Sequence, residues 1–264
     1  MRDIALQDIT LPFSGDRFAH RRRPLPVGRL ETSEIGTLPC CLDMLVKLPG
    51  EGVVLPDSYA DNPAIDAFLK SALAFEDGML PSWREECYLY LTIDQREVVP
   101  GRSHRNGGWH FDGMQGARYA KKLPGCHQYV MSSNLCTEFT DAPTDANGLD
   151  ENRHNWFECL GEQIPDDTQV ITPAPFEIVF MSAYQMHRSP VATEKTAGWR
   201  TFVRLDVSHK KQDRIGNTVN PDLPAPWEFV ERNLPSGLGR PRTSTHWSGA
   251  SRLSSPEGRV GADE

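Results

Sequence analysis

The feature that most constrains this chain is a change of period at residue 87. From there, "CYLYLTID" (87–94), "HQYVMSSNL" (127–135), "TQVITP" (168–173), "FEIVFMSA" (176–183) and "RTFVRLDVS" (200–208) are short and rich in β-branched and aromatic residues. Gly, Pro, Asn and Asp clusters separate them, so they read as strands of an all-β sandwich or barrel. A chain of 264 residues is long enough for one such domain with a sizeable core.

One segment breaks this pattern. "NPAIDAFLKSALAFEDG" (62–78) carries Ile65, Phe68, Leu69 and Ala72 at helical spacing. Asn62 can cap it, Pro63 suits its first turn and Gly78 can end it, so a helix packed outside the β core is expected. Residues 1–60 are Pro-rich and nearly patternless, with apolar pieces such as "CLDMLVKL". They read as an arm with one or two edge strands. Residues 235–264 are rich in Ser, Gly, Pro and Arg, the composition of a mobile tail. The expected organisation is therefore arm and edge strands over 1–60, a main β domain over 61–234 and a tail over 235–264.

Composition excludes several classes. No apolar run reaches the roughly 20 residues that span a bilayer, and "MRDIALQDITLPFSGDRF" lacks the charged-then-apolar order of a signal peptide. A soluble, cytoplasmic protein is the expectation. Six cysteines, two of them adjacent at 40 and 41, show no Cys-x-x-Cys spacing, so they read as reduced and mostly buried thiols. A net charge of −8 argues against general nucleic-acid binding; the basic run "HRRRPLPVGR" (20–29) reads as a solvated arm, with contact to an anionic partner as the alternative.

Chemistry concentrates in "GGWHFDGMQG" (107–116), where His110 and Asp112 stand two apart among four glycines. On extended backbone such residues leave the same face, near enough to grip one ion. In a chain with 8 His the pair alone is weak evidence, and a third ligand is needed from elsewhere. His187, in "FEIVFMSAYQMHRSPVA", follows a strong apolar strand and belongs at a strand end. His104, in a basic loop, His127, in a strand interior, and His154, in a polar stretch, compete for the place. The segment "TAGWRTFVRLDVS" favours His187, because Arg200 and Arg204 face the same way along a strand that otherwise reads as core. A buried arginine is costly unless an anion meets it, and its planar fork suits a carboxylate. Two histidines and one carboxylate form a facial triad that leaves positions open on the metal.

The order "HFD", then His187 75 residues after Asp112, then Arg200 13 residues later, resembles the 2-oxoglutarate and Fe(II)-dependent dioxygenases. The Arg200 and Arg204 pair looks like the taurine-dioxygenase and clavaminate-synthase branches, and the resemblance covers roughly residues 87–208. It implies a double-stranded β-helix (jelly-roll) core, Fe(II) held by His110, Asp112 and His187, and 2-oxoglutarate and O2 as cosubstrates, with ascorbate as a supporting reductant. Arg200 is then expected to bind the distal carboxylate of 2-oxoglutarate, and Arg204 the same cosubstrate or the primary substrate. Thr137, in "CTEF", resembles a further 2-oxoglutarate contact, without the usual preceding glycines. A carboxylate at 112 leaves no place for chloride, so hydroxylation is the default outcome, with desaturation and ring closure open.

Arg102, Arg105, Arg118, Lys121 and Lys122 crowd residues 101–122 against the single acid Asp112, in a chain that is acidic overall. A small anionic substrate such as an amino acid or related metabolite is expected, with Arg105, Gln115 and Arg118 as contacts. No membrane or nucleic-acid partner is expected. The competing reading is a cupin-like protein that holds a metal without turnover, in which Arg200 is merely structural.

Overall fold

The computed structural model describes residues 2–31, 35–105, 107–112, 124–150 and 154–230. Its helices are α1 (Arg2–Thr10), α2 (Asp57–Ala60), α3 (Pro63–Met79), α4 (Trp83–Glu86) and α5 (Trp156–Gly161). Its strands are β1 (Leu25–Arg29), β2 (Cys41–Lys47), β3 (Tyr88–Val98), β4 (Cys126–Ser132), β5 (Glu138–Phe139), β6 (Glu177–Ser182), β7 (His187–Arg188) and β8 (Gly198–Ser208). The described chain is mostly β. Six strands form an antiparallel sheet in the order β1-β6-β4-β8-β3-β2, with β1 and β2 at its edges.

Both faces of this sheet are covered, and residue parity decides which side chain goes where. On β8, Val203, Leu205 and Val207 join Tyr129 and Met131 of β4 and Ile178 and Phe180 of β6 in a core against α1 and α3. Helix α3 contributes Ile65, Phe68, Leu69 and Ala72; fully burying each of the three larger ones is worth about 1.5–3 kcal/mol. Asn62 caps the helix by accepting from Ala64 N and Ile65 N, and the helix runs through Gly78 to end at Met79.

The opposite parity faces a second, short layer. Val130, Val179, Met181 and Phe202 pack against Phe139 of β5. Strand β5 pairs with β7, and single bridges add His110 beside His187 and Ile171 beside Phe139. The expected strand over 168–173 shrinks to that bridge at Ile171, because the Thr168 N–H is taken by Pro165 O in a turn and Pro173 has no donor for a ladder.

The arm is more structured than its composition implies. Residues 2–10 are helical, and the basic run is tied down, with Arg22 pairing the buried Asp8 at 2.8 Å and Arg23 pairing Asp141 at 2.7 Å. All six cysteines are free, four of them buried. The tail over 235–264, with Gln115, Arg118, Lys121 and Lys122, lies outside the described residues. Among the described residues no helix is long and apolar enough to cross a membrane.

Candidate metal centre and its pocket

His110 and His187 exchange both backbone hydrogen bonds, at 2.9 and 2.8 Å, so the two residues sit directly opposite one another. Their rings lie 4.4 Å apart between centroids. Each Nδ1 faces a carbonyl close in sequence, Gly108 O at 2.7 Å for His110 and Gln185 O at 2.9 Å for His187. A carbonyl only accepts, so each Nδ1 carries the proton and the lone pair of each neutral ring is on Nε2. The approach of the His110 segment depends on Gly161, since a Cβ there would stand 2.5 Å from Trp109 O.

Asp112 completes the group. One ligand atom from each of His110, Asp112 and His187 lies within 4.8 Å of the others. Asp112 Oδ2 accepts from Arg204 Nη1 at 3.0 Å and Gln128 Nε2 at 3.3 Å, while Oδ1 takes no hydrogen bond from a described residue. Burial alone would raise the Asp112 pKa, but the Arg204 charge, followed by His187, His110 and Arg105, holds it far below the usual carboxylate range. Burial lowers the pKa of His187 and favours the neutral ring that a metal requires. Two imidazole lone pairs and one ionised carboxylate with an open oxygen suit a divalent transition ion that retains free positions.

The triad opens into a cavity of about 460 Å³, counted out to its mouth, whose walls include Arg105, Thr137, Met181, Arg200, Phe202 and Arg204. Arg200, Phe202 and Arg204 are the inward parity of β8. The two arginines have different surroundings. Arg204 Nη2 donates to Asp43 at 2.6 Å, Nη1 donates to Asp112, and Nε lies 3.1 Å from Asp206. It is held among three carboxylates. Arg200 is 1% exposed and meets no carboxylate among the described residues; its Nε donates to Asn134 O and Leu135 O, Nη2 to Ser132 Oγ and Nη1 to His104 Nδ1. Burial, then the nearby Arg105, presses its pKa below the ordinary value.

Thr137 lines the cavity and is buried. Arg105 also lines it, with its guanidinium 4.9 Å from the Phe202 ring centroid and 3.9 Å from Asp94. The competing histidines are accounted for elsewhere. His127 is enclosed between Glu76 and Ala5 O, and His154 Nδ1 accepts from Asp150 N. His104 stands in the basic loop after β3 and is buried there at 3% exposure, because Arg200 and Asp94 flank its ring.

Sequence reasoning missed Asp43 and Gln128, and offered Asp206 as a partner for Arg200, whereas it lies against Arg204. Asp206 was legible by parity, standing two residues after Arg204 on one strand. Asp43 reaches Arg204 from a bulge in β2, at a φ of 45° that few non-glycine residues adopt, and no local pattern announces it.

No protein-family model and no curated protein matches the sequence. Among solved structures, the chain is similar to EvdO2 from Micromonospora carbonacea var. aurantiaca, with 13% identity, a TM-score of 0.37, and 61% of this chain and 67% of that one covered. It is also similar to a bsmA homolog from Methylobium petroleophilum PM1, with 12% identity, a TM-score of 0.28, and 70% and 66% covered. Neither likeness is close enough to carry fold or function.

Proposed function

We propose that this protein is a non-haem Fe(II) and 2-oxoglutarate-dependent oxygenase on a jelly-roll scaffold, acting on a small anionic substrate. The observation that carries the reading is Arg200, a buried cation without a carboxylate partner among the described residues, lining the same cavity as the His110, Asp112 and His187 triad. A guanidinium desolvated in this way is stabilised by an incoming anion, and its fork matches a carboxylate. The jelly-roll part of the reading is supported by an antiparallel six-stranded sheet that faces a short second layer bearing His187.

Each residue has a physical task. His110 and His187 would give Nε2 lone pairs to iron, and Asp112 would give the oxygen that Arg204 leaves open. Arg200 would fix the far carboxylate of 2-oxoglutarate and so set which end of the cosubstrate meets the metal, with Thr137 on the same wall. Arg204, engaged with three carboxylates, would serve Asp112 and not the cosubstrate. Phe202, Val130 and Met181 keep the floor apolar and exclude water. Fe(II) and O2 would supply the oxidising power for breaking a substrate C–H bond, with 2-oxoglutarate as the co-reductant that leaves as succinate and CO2.

The anionic substrate is supported by Arg105, a guanidinium on the cavity wall 3.9 Å from Asp94; of the other wall arginines, Arg204 is held among three carboxylates and Arg188 pairs with Glu138 at 2.6 Å. The test is a screen of amino acids and small carboxylates for substrate-dependent succinate production with Fe(II), 2-oxoglutarate and air. Activity that persists without oxygen or 2-oxoglutarate would replace this reading with a hydrolase or isomerase.

A further inference from the structure

Behind Arg200 runs a polar chain made of Asp94 in β3 and His104 in the following loop, with side chains 1% and 0% exposed. The loop is pinned to the segment between β7 and β8. Gly101 N donates to Ala192 O at 2.8 Å, Ala192 N to Arg102 O at 2.8 Å, and Arg105 N to Ser189 Oγ at 3.3 Å. His104 is therefore set by backbone pairing.

Its protons can be assigned from its neighbours. A guanidinium only donates, so Arg200 Nη1 directs an N–H at a lone pair on His104 Nδ1. The ring then carries its hydrogen on Nε2, which lies 3.1 Å from Asp94 Oδ1, bent away from the line of a good hydrogen bond. Only a neutral ring fits, since a proton on Nδ1 would point at the guanidinium. Of the five N–H groups on Arg200, one on Nε, one on Nη1 and one on Nη2 are engaged. One remains on each terminal nitrogen, which is the number a carboxylate takes bidentately.

We propose that His104 is a positioning residue that, through the chain Asp94–His104–Arg200, locks the rear of the guanidinium and leaves its fork for a carboxylate. This rests on reading Arg200 as the anchor of the distal carboxylate of 2-oxoglutarate. Ser132 Oγ and the carbonyls of Asn134 and Leu135 hold the remaining rear donors, so the side chain cannot swing between rotamers and little ordering is left for the moment of binding.

The test is calorimetric binding of 2-oxoglutarate and of pyruvate to the Fe(II)-loaded protein under argon. Pyruvate has the 2-oxo acid end and lacks the distal carboxylate. His104→Phe fills the same space without an acceptor, and 2-oxoglutarate should bind roughly ten-fold more weakly, the size expected for one hydrogen bond to a charged group. Pyruvate and Fe(II) affinities should not change. His104→Asn should recover most of the loss, because its Oδ1 takes the place of Nδ1. The inference falls if His104→Phe binds 2-oxoglutarate as the parent does, if it loses pyruvate equally, or if His104→Asn recovers nothing. Should His104→Phe not fold, His104→Ala takes its place with the same expected results. Arg200→Ala separates the two levels: if it leaves 2-oxoglutarate binding unchanged, the anchor reading falls and this inference with it. If it abolishes binding while His104→Phe does not, only the role of His104 falls.

Discussion

His110 and His187 face one another across a closed antiparallel bridge, donating and accepting at 2.9 and 2.8 Å. Because the backbone carries this pairing, the imidazoles are brought together before any metal arrives. Replacing either side chain leaves the bridge in place. His110→Ala, Asp112→Ala and His187→Ala should each lose stoichiometric Fe(II) binding while far-UV circular dichroism stays that of the parent. His104→Ala should keep its iron. Full iron occupancy in any of the first three removes that residue from the ligand set.

Arg204 and Arg200 should separate in stability measurements. Arg204→Met strips the counter-charge from Asp43, Asp112 and Asp206 and should cost about 3–5 kcal/mol, as breaking a buried ion pair does. Arg200→Met removes a desolvated charge that has no carboxylate partner among the described residues but leaves the acceptors on Ser132, Asn134, Leu135 and His104 unpaired, so the loss should be smaller, about 1–2 kcal/mol. Urea unfolding reads both. Equal losses would mean that Arg200 has a structural role of the same kind.

A pH-dependent contribution is expected from His127, whose ring nitrogens both face acceptors, Glu76 Oε1 at 2.8 Å and Ala5 O at 2.9 Å. Burial opposes charging, yet the Glu76 carboxylate outweighs it and raises the pKa above its ordinary 6.5. A raised folded-state pKa contributes stability fully below the unfolded value, and that contribution is lost as pH rises through the folded one. The parent should therefore lose its advantage over His127→Gln as pH is raised from about 6 to about 9. Parallel urea midpoints for the two proteins over that range would remove His127 as the cause.

Gly161 gives a steric prediction. Gly161→Ala would set a methyl group 2.5 Å from Trp109 O and displace the segment that leads into His110. The expected result is a loss of about 1–3 kcal/mol, typical of overpacking, together with weaker Fe(II) binding. A variant that binds iron as the parent does would show that the segment yields without moving His110.

Legibility in the sequence followed parity and order. The alternation in "RTFVRLDVS" gave β8 and the inward direction of Arg200 and Arg204, and the order of His110, Asp112 and His187 picked out residues that meet in space. What stayed hidden depends on long-range contacts. The strand expected at 168–173 was judged by composition, whereas its pairing is limited to what Phe139 offers at Ile171. His104 was placed in a basic loop by its neighbours, while its burial comes from Asp94 and Arg200, distant in sequence. The pairing of Arg204 with Asp43 was hidden because Asp43 sits on an edge strand in a part of the chain without pattern.

The most direct measurement is equilibrium binding of 2-oxoglutarate to the Fe(II)-loaded protein under argon, alongside Arg200→Ala and Asp112→Ala. The account predicts one 2-oxoglutarate per bound iron in the parent. Arg200→Ala should keep its iron and lose roughly 30-fold or more in 2-oxoglutarate affinity, the factor that corresponds to about 2 kcal/mol for truncating one partner of a buried charge pair. Asp112→Ala should lose the iron. A parent protein that binds Fe(II) tightly and takes up no 2-oxoglutarate would contradict the account and leave a metal-holding barrel without this cosubstrate.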